Sequence, residues 1–255
     1  GYEHIATLES EMSAAGAGGV TSLACLPDTD PPLDEPGLVE MLKHRARQLN
    51  QARVYPLGAL TQGLRGERLT EMAELTEAGC IAFTQADAPL IDTAVLMSAL
   101  QYASTFGYRV WLRPQEHFLA RNGVAHDGRV ATRLGLAGIP ASAETIAIAT
   151  IVHLMRDTDA QVHFCRLSSA AGLSMLREAR AQGLKLTCDI SAHHLHLSEI
   201  DIGYYDSNCH LRPPLRSLRW VESFLGSLQR FGFSDHTSVG IYRAFSTFLV
   251  GHLLL

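Results

Sequence analysis

Short β-rich segments alternate with stretches of helical spacing along almost the whole chain, and few folds accommodate that alternation. The β-rich segments are Val20 to Pro27, Arg53 to Leu60, Cys80 to Thr84, Tyr108 to Arg113, Gln161 to Leu167, Leu184 to Ile190 and, less sharply, Phe231 to Asp235. Each is short and largely apolar, the pattern of strands buried on both faces. Between them, helical spacing runs over Leu8 to Gly16, Pro36 to Gln51, Arg68 to Glu77, Asp92 to Phe106, Ala143 to Met155 and Ala170 to Gln182. Asp34 before Glu35-Pro36 suits an N-cap with proline in the first turn, and Gly107 and Gly183 suit helix C-terminal stops. Repeated strand-helix units predict a parallel sheet. At 255 residues the choice lies between a closed (β/α)8 barrel and an open doubly wound sheet. The barrel is favoured: the first strand runs into Leu26-Pro27-Asp28-Thr29-Asp30-Pro31 rather than a GxGxxG turn, and Gly16, Gly18 and Gly19 precede that strand as a helix end. No linker or repeat divides the chain, so one domain over residues 1–255 is expected.

Composition narrows the function classes. No apolar run approaches the ~18 residues that span a bilayer, because the stretch from Ile146 to Met155 is interrupted by His153. A net charge of -5 with scattered Lys and Arg gives no electrostatic footprint for nucleic acid. The cysteines (Cys25, Cys80, Cys165, Cys188, Cys209) are odd in number, widely spread and free of CxxC, and read as reduced core residues of a cytoplasmic protein. Two long irregular stretches, Pro114 to Pro140 and Ser191 to Pro214, each follow a strand, and loops in that position form the active-site face of a barrel.

Histidine is abundant, with 12 residues. His193, His194 and His196 follow the strand Leu184 to Ile190, where a barrel metal site could use one of them; adjacent His193-His194 more commonly means one ring facing in and one out. His163 alternates within a strand and reads as a hydrogen-bonded core residue, and the chain has no HExxH. Asp235 ends the late strand, where a carboxylate serves as a general base, a metal ligand or a turn cap. Cys165 and Cys188 lack a neighbouring base and read as structural.

Together these pieces resemble the type I dihydroorotases of the amidohydrolase superfamily. The resemblance rests on Gly16-Ala17-Gly18-Gly19-Val20-Thr21 with Leu26-Pro27-Asp28-Thr29-Asp30-Pro31-Pro32, similar to the family's AAxGGxT...MPNTxP. It extends through Val124-Ala125-His126-Asp127-Gly128, Leu134 to Pro140 with Glu144, Ala192-His193-His194-Leu195, Asn208 with Leu211-Arg212-Pro213-Pro214-Leu215-Arg216, and Ser234-Asp235-His236. It implies a metal-dependent (β/α)8 barrel related to the enzymes that close carbamoyl-aspartate to dihydroorotate in pyrimidine synthesis.

The departures fall on the positions where that chemistry is done. The family's Asp-Asp pair corresponds to Gln85 and Ala86, its DHCE histidine to Pro114, and its HVS histidine to Arg166. Asp28 stands for the substrate-binding asparagine, where it would meet an anionic substrate with like charge. Only His194 and Asp235 remain at family ligand positions, with Asn208 as a vestige of the substrate site. The family's HxH pair lies upstream of Gly1, and both ends are expected to be incomplete, leaving the barrel open. The resemblance implies a catalytically inactive homologue with no cofactor. It also implies a partner, the catalytic chain of aspartate carbamoyltransferase, in a hetero-oligomer. The alternatives are an active zinc-dependent dihydroorotase with a reduced mononuclear site built on His194, Asp235 and the upstream pair, and a module that binds a pyrimidine metabolite in the old pocket.

Overall fold

A computed structural model describes residues 6–216 and 234. The chain separates into two compact units, the first comprising Gly1–Arg113, His153–His163 and Leu184–Thr187 and the second Pro114–Val152, Phe164–Gly183 and Cys188–Leu255.

The first unit begins with α1 (Leu8–Ala17), closed at its start by a Thr7/Ser10 capping box and at its end by Gly18. β1 (Ser22–Cys25) leads into α2 (Pro36–Leu49) and pairs in parallel with β2 (Arg53–Pro56). Then come β3 (Gly58–Ala59), α3 (Met72–Ala78), β4 (Phe83–Thr84), α4 (Thr93–Phe106) and β5 (Arg109–Leu112). Two later strands, β8 (Gln161–Phe164) and β9 (Leu186–Cys188), complete a five-stranded sheet of order β3-β4-β5-β8-β9. The β3/β4 and β4/β5 pairs are parallel. Strand order follows chain order without reversing, so the sheet has no topological switch point of the doubly wound kind. Met12, Val39, Leu57, Met72, Leu75 and Leu100 are completely buried and form its core.

Helix ends follow the sequence signals with one exception. Asp92 caps α4 by accepting from Ala94 N at 2.8 Å, and Gly107 ends it at φ 72°, where a Cβ would be strained. The exception is Asp34, expected to cap α2. Glu35 holds the N-cap position, without a side-chain bond, because the Asp34 carboxylate instead accepts from Gly63 N at 2.7 Å.

In the second unit, the supposedly irregular stretch from Pro114 to Pro140 is structured. It contains α5 (His117–Ala120), a parallel pair of β6 (Ala125–His126) and β7 (Gly138–Ile139), and α6 (Arg129–Leu134). These strands are two residues long, too short to leave a period in the sequence. α7 (Ala141–Thr158) crosses the boundary between the units, and α8 (Ala170–Ala181) starts at the Ser169 N-cap. From Ser191 to Pro214 the chain is built of 3-10 turns at Ala192–Leu195, Glu199–Ile202 and Ser207–Cys209. Ala125, Ala131, Ile202, Cys209 and Leu215 pack into one core cluster of this unit.

Two further expectations are corrected. The strands are not uniformly buried on both faces: β1 alternates exposed and half-buried residues, and β5 exposes Arg109. All five cysteines are free, but only Cys80 and Cys209 are core residues, while Cys188 is exposed. The late strand Phe231 to Asp235 lies outside the described residues apart from Ser234. Among the described residues no helix is long and apolar enough to cross a membrane.

Candidate functional site

In the first unit the relevant chain is the turn after β4. Gln85 is buried, and its Oε1 accepts from Thr61 Oγ1 at 3.0 Å, while Thr61 Oγ1 accepts from Gly66 N at 2.9 Å. The Gln85 Nε2 has no hydrogen-bond partner among the described residues. Ala86 sits at φ 51°, held by a bond from its N–H to Thr84 Oγ1. Asp87, the next acid, is exposed and paired with Arg113 at 2.7 Å. Asp28 is exposed beyond β1. Burial and the Asp28 charge push the Cys25 thiol up to about 11, so it stays a thiol.

In the second unit Pro114 is buried after β5, and Glu116 caps α5 by accepting from Leu119 N at 2.7 Å. Arg166 follows β8 in a left-handed conformation, φ 56°. Its N–H donates to Asp189 Oδ1 at 2.5 Å and its Nη1 to Arg212 O at 3.3 Å. His194 is 1% exposed, with its Nε2 3.2 Å from Pro214 O. A carbonyl only accepts, so Nε2 carries the proton and the buried Nδ1 lone pair faces no partner among the described residues. Burial pulls His194 down to about 4, with His193, Arg216 and Arg166 adding to the effect against the Pro214 bond. His193 is only half-buried, in keeping with the expected in-and-out pair. Asn208 is exposed and engages Asp206 through both its N–H and its side-chain amide. Asp235 lies outside the described residues.

Sequence reasoning named Glu144 and Arg216 only as part of the resemblance and missed that they build the principal buried polar network of this unit. Glu144, 4% exposed, accepts from the backbone N–H and hydroxyl of both Ser168 and Ser169, with N···O distances of 2.8 and 2.9 Å. Arg216, 7% exposed, donates through Nε to Ser168 Oγ at 2.8 Å and through Nη1 to His126 Nδ1 at 2.9 Å. The available signal was a lone acid in the apolar run Ala143 to Met155. The His194-Leu195-His196 spacing was also passed over. A 3-10 turn carries His194, so the pair lacks the extended backbone that puts alternate residues on one face. His163, expected in the core, is half-buried and bonded to Thr187 Oγ1 at 2.7 Å.

The residue types at the substituted positions decide what a metal would find. Gln85 offers an amide oxygen already in use, Ala86 a methyl group, Pro114 a ring without a donor atom, and Arg166 a permanent cation. These residues do not fit the metal centre that the resemblance implies.

The family profile described as Dihydro-orotase-like matches residues 1–171. The chain belongs to the dihydroorotase-like family. It is 43% identical over 217 residues to a "Dihydroorotase-like protein" of Pseudomonas aeruginosa, covering 85% of this chain and 51% of that protein. It is 36% identical over 237 residues to a "Dihydroorotase" of Syntrophotalea carbinolica, covering 93% and 55%. The chain thus spans about half the length of these relatives. Among solved structures, an L-hydantoinase from Arthrobacter aurescens superposes with a TM-score of 0.70 at 19% identity, covering 86% of this chain and 50% of the other. A dihydroorotase from Saccharomyces cerevisiae gives 0.66 at 14% identity, covering 86% and 61%. At those identities the likeness concerns the fold, which is α/β with parallel sheets, consistent with part of a (β/α)8 barrel.

Proposed function

We propose that the chain is a catalytically inactive dihydroorotase homologue that serves pyrimidine biosynthesis as an assembly subunit of aspartate carbamoyltransferase. The observation that carries the first half is Arg166. It occupies the position of a neutral metal-binding imidazole, its backbone is pinned to Asp189, and its guanidinium is engaged by the Arg212 carbonyl. A cation so placed opposes a divalent metal. Gln85, Ala86 and Pro114 remove further donors independently, leaving only His194 and Asp235 at family ligand positions. The retained scaffold, including the Glu144 network and the Pro213-Pro214 turn, supports a role that needs shape without chemistry. The setting is cytoplasmic, in keeping with five free thiols.

Two measurements on the full-length protein test this. After dialysis against trace zinc, no stoichiometric metal and no dihydroorotate hydrolysis are expected, and Arg166→His alone should restore neither. Retained zinc together with turnover would establish the competing active enzyme. Co-expression with the carbamoyltransferase catalytic chain should yield one hetero-oligomer. If the transferase alone forms the same particle with the same activity, the assembly role is wrong.

A further inference from the structure

The buried polar chain of the second unit ends on a group that can change its charge. Arginine only donates, so every proton in the chain is assigned. Arg216 Nε donates to Ser168 Oγ at 2.8 Å, and that hydroxyl gives its own proton to Glu144 Oε2 at 2.6 Å. At the other end Arg216 Nη1 donates to His126 Nδ1 at 2.9 Å, which fixes Nδ1 as an acceptor and puts the single ring proton on Nε2. Donor geometry therefore holds His126 neutral. Histidine is also the one member of the chain whose ordinary titration lies close to neutral pH. Protonation would set a second N–H at Nδ1, donor against donor and cation against cation.

A receiving group stands beside the ring. Glu199 opens the 3-10 turn Glu199–Ile202, and its buried Oε2 has no hydrogen-bond partner among the described residues. Glu199 Oε2 and His126 Nε2 lie 3.2 and 3.8 Å from the point where a Cβ on Gly128 would stand, so glycine leaves open space between carboxylate and ring. Burial first, then the Arg216 charge, pull His126 below its ordinary value, while Glu199, the Ile139 carbonyl of β7 and Asp127 act in the opposite direction. We infer that His126 is a proton-operated latch: neutral, it ties β6 to Arg216, and protonated, it turns to Glu199 and loosens residues 125–139 from Arg216. The β6/β7 pair has few bonds of its own, among them Ala125 N to Ala137 O at 3.3 Å and Asp127 N to Ile139 O at 3.0 Å, so one lost side-chain contact weighs on it. The latch is independent of the substituted family positions and of the proposed assembly role.

Hydrogen exchange on the full-length protein, corrected for intrinsic rates and read against peptides of α8 in the same unit, tests the latch. On acidification from about pH 7.5 to about pH 5, exchange in peptides spanning 125–139 should rise at least about threefold, and a single proton limits the rise to about tenfold per pH unit. His126→Asn keeps an acceptor oxygen near the Nδ1 position but takes up no proton, so it should retain protection at neutral pH and lose the acid response. Glu199→Gln removes the anion that favours the cationic ring, so the onset should move to lower pH. Nitrogen-15 NMR of the histidine-labelled protein should place the His126 proton on Nε2 at neutral pH. An equal acid response in 125–139 and α8, an unchanged response in His126→Asn, or a neutral-pH proton on Nδ1 overturns the latch. An unshifted onset in Glu199→Gln overturns Glu199 as the receiving group.

Discussion

Glu144→Gln isolates the electrostatics of the second unit, because the two side chains are nearly isosteric and no cavity is opened. The carboxylate takes four donors, two on each oxygen. In the amide one oxygen becomes an NH2 group. A serine hydroxyl can rotate to accept from it, but a backbone N–H cannot, so either Ser168 N or Ser169 N is left as a buried donor facing a donor. An unsatisfied group of that kind costs about 1–3 kcal/mol. Arg216 also loses the larger of the two acidic charges that offset its burial. Arg216 reaches Glu144 only through Ser168 Oγ and forms no ion pair with it among the described residues, so the expected total stays at about 1–3 kcal/mol. It is a large part of the ~5–15 kcal/mol that a folded domain has in hand. Urea unfolding followed by far-ultraviolet circular dichroism measures the loss. A change below about 1 kcal/mol would refute the claim that the four bonds hold this unit together.

Gly172→Ala, in the first turn of α8, should destabilise despite the better helix propensity of alanine, because the new Cβ would lie 2.5 Å from Glu144 Oε1 and 2.8 Å from Ile148 Cδ1; a loss of about 1–3 kcal/mol in thermal or urea unfolding is expected. Ala86→Gly should instead stabilise by up to about 1 kcal/mol, by relieving a side chain at φ 51°. His194 is held neutral in the fold, at about 4 against an ordinary value of 6.5, so the stability it contributes is full above pH 6.5 and falls away as pH drops from 6.5 towards 4. His194→Gln should reduce the fall in stability across that window, with His126, His193 and His196, also held down by burial, supplying what remains, and the His194 ring proton in NMR should titrate well below its ordinary range.

The order and type of the longer elements were legible because strand and helix alternate in hydrophobic period, whereas the short elements between Pro114 and Pro140 were not. What the sequence hid were changes of partner. Arg53 to Leu60 reads as one strand but serves two sheets: Leu57 N bonds to Cys25 O, whereas Gly58 N bonds to Ala82 O. Asp34 read as a local cap, yet a residue 29 positions away claims its carboxylate. At the candidate site, residue type alone revealed the loss of donors at Gln85, Ala86, Pro114 and Arg166. The left-handed backbone at Ala86 and Arg166 was invisible, because neither residue favours that conformation and only surrounding bonds impose it. The Glu144 network escaped for the same reason: its partners are distant in sequence, and no periodicity relates Ser168, Ser169 and Arg216 to one acid in an apolar helix.

The sheet order β3-β4-β5-β8-β9 has a consequence for the nascent chain. Three strands are contiguous in synthesis, but the fourth emerges only after the whole of α5 to α7 has been made. At ~5–20 residues per second, the roughly 50 residues between Leu112 and Gln161 occupy the ribosome for about 2–10 seconds. Throughout that interval β5 is an edge strand with unpaired amide and carbonyl groups, a template for pairing with another chain. A slowly translated message therefore exposes this protein to cotranslational aggregation along β5, and a chaperone that recognises an extended strand would find a substrate in Arg109–Leu112.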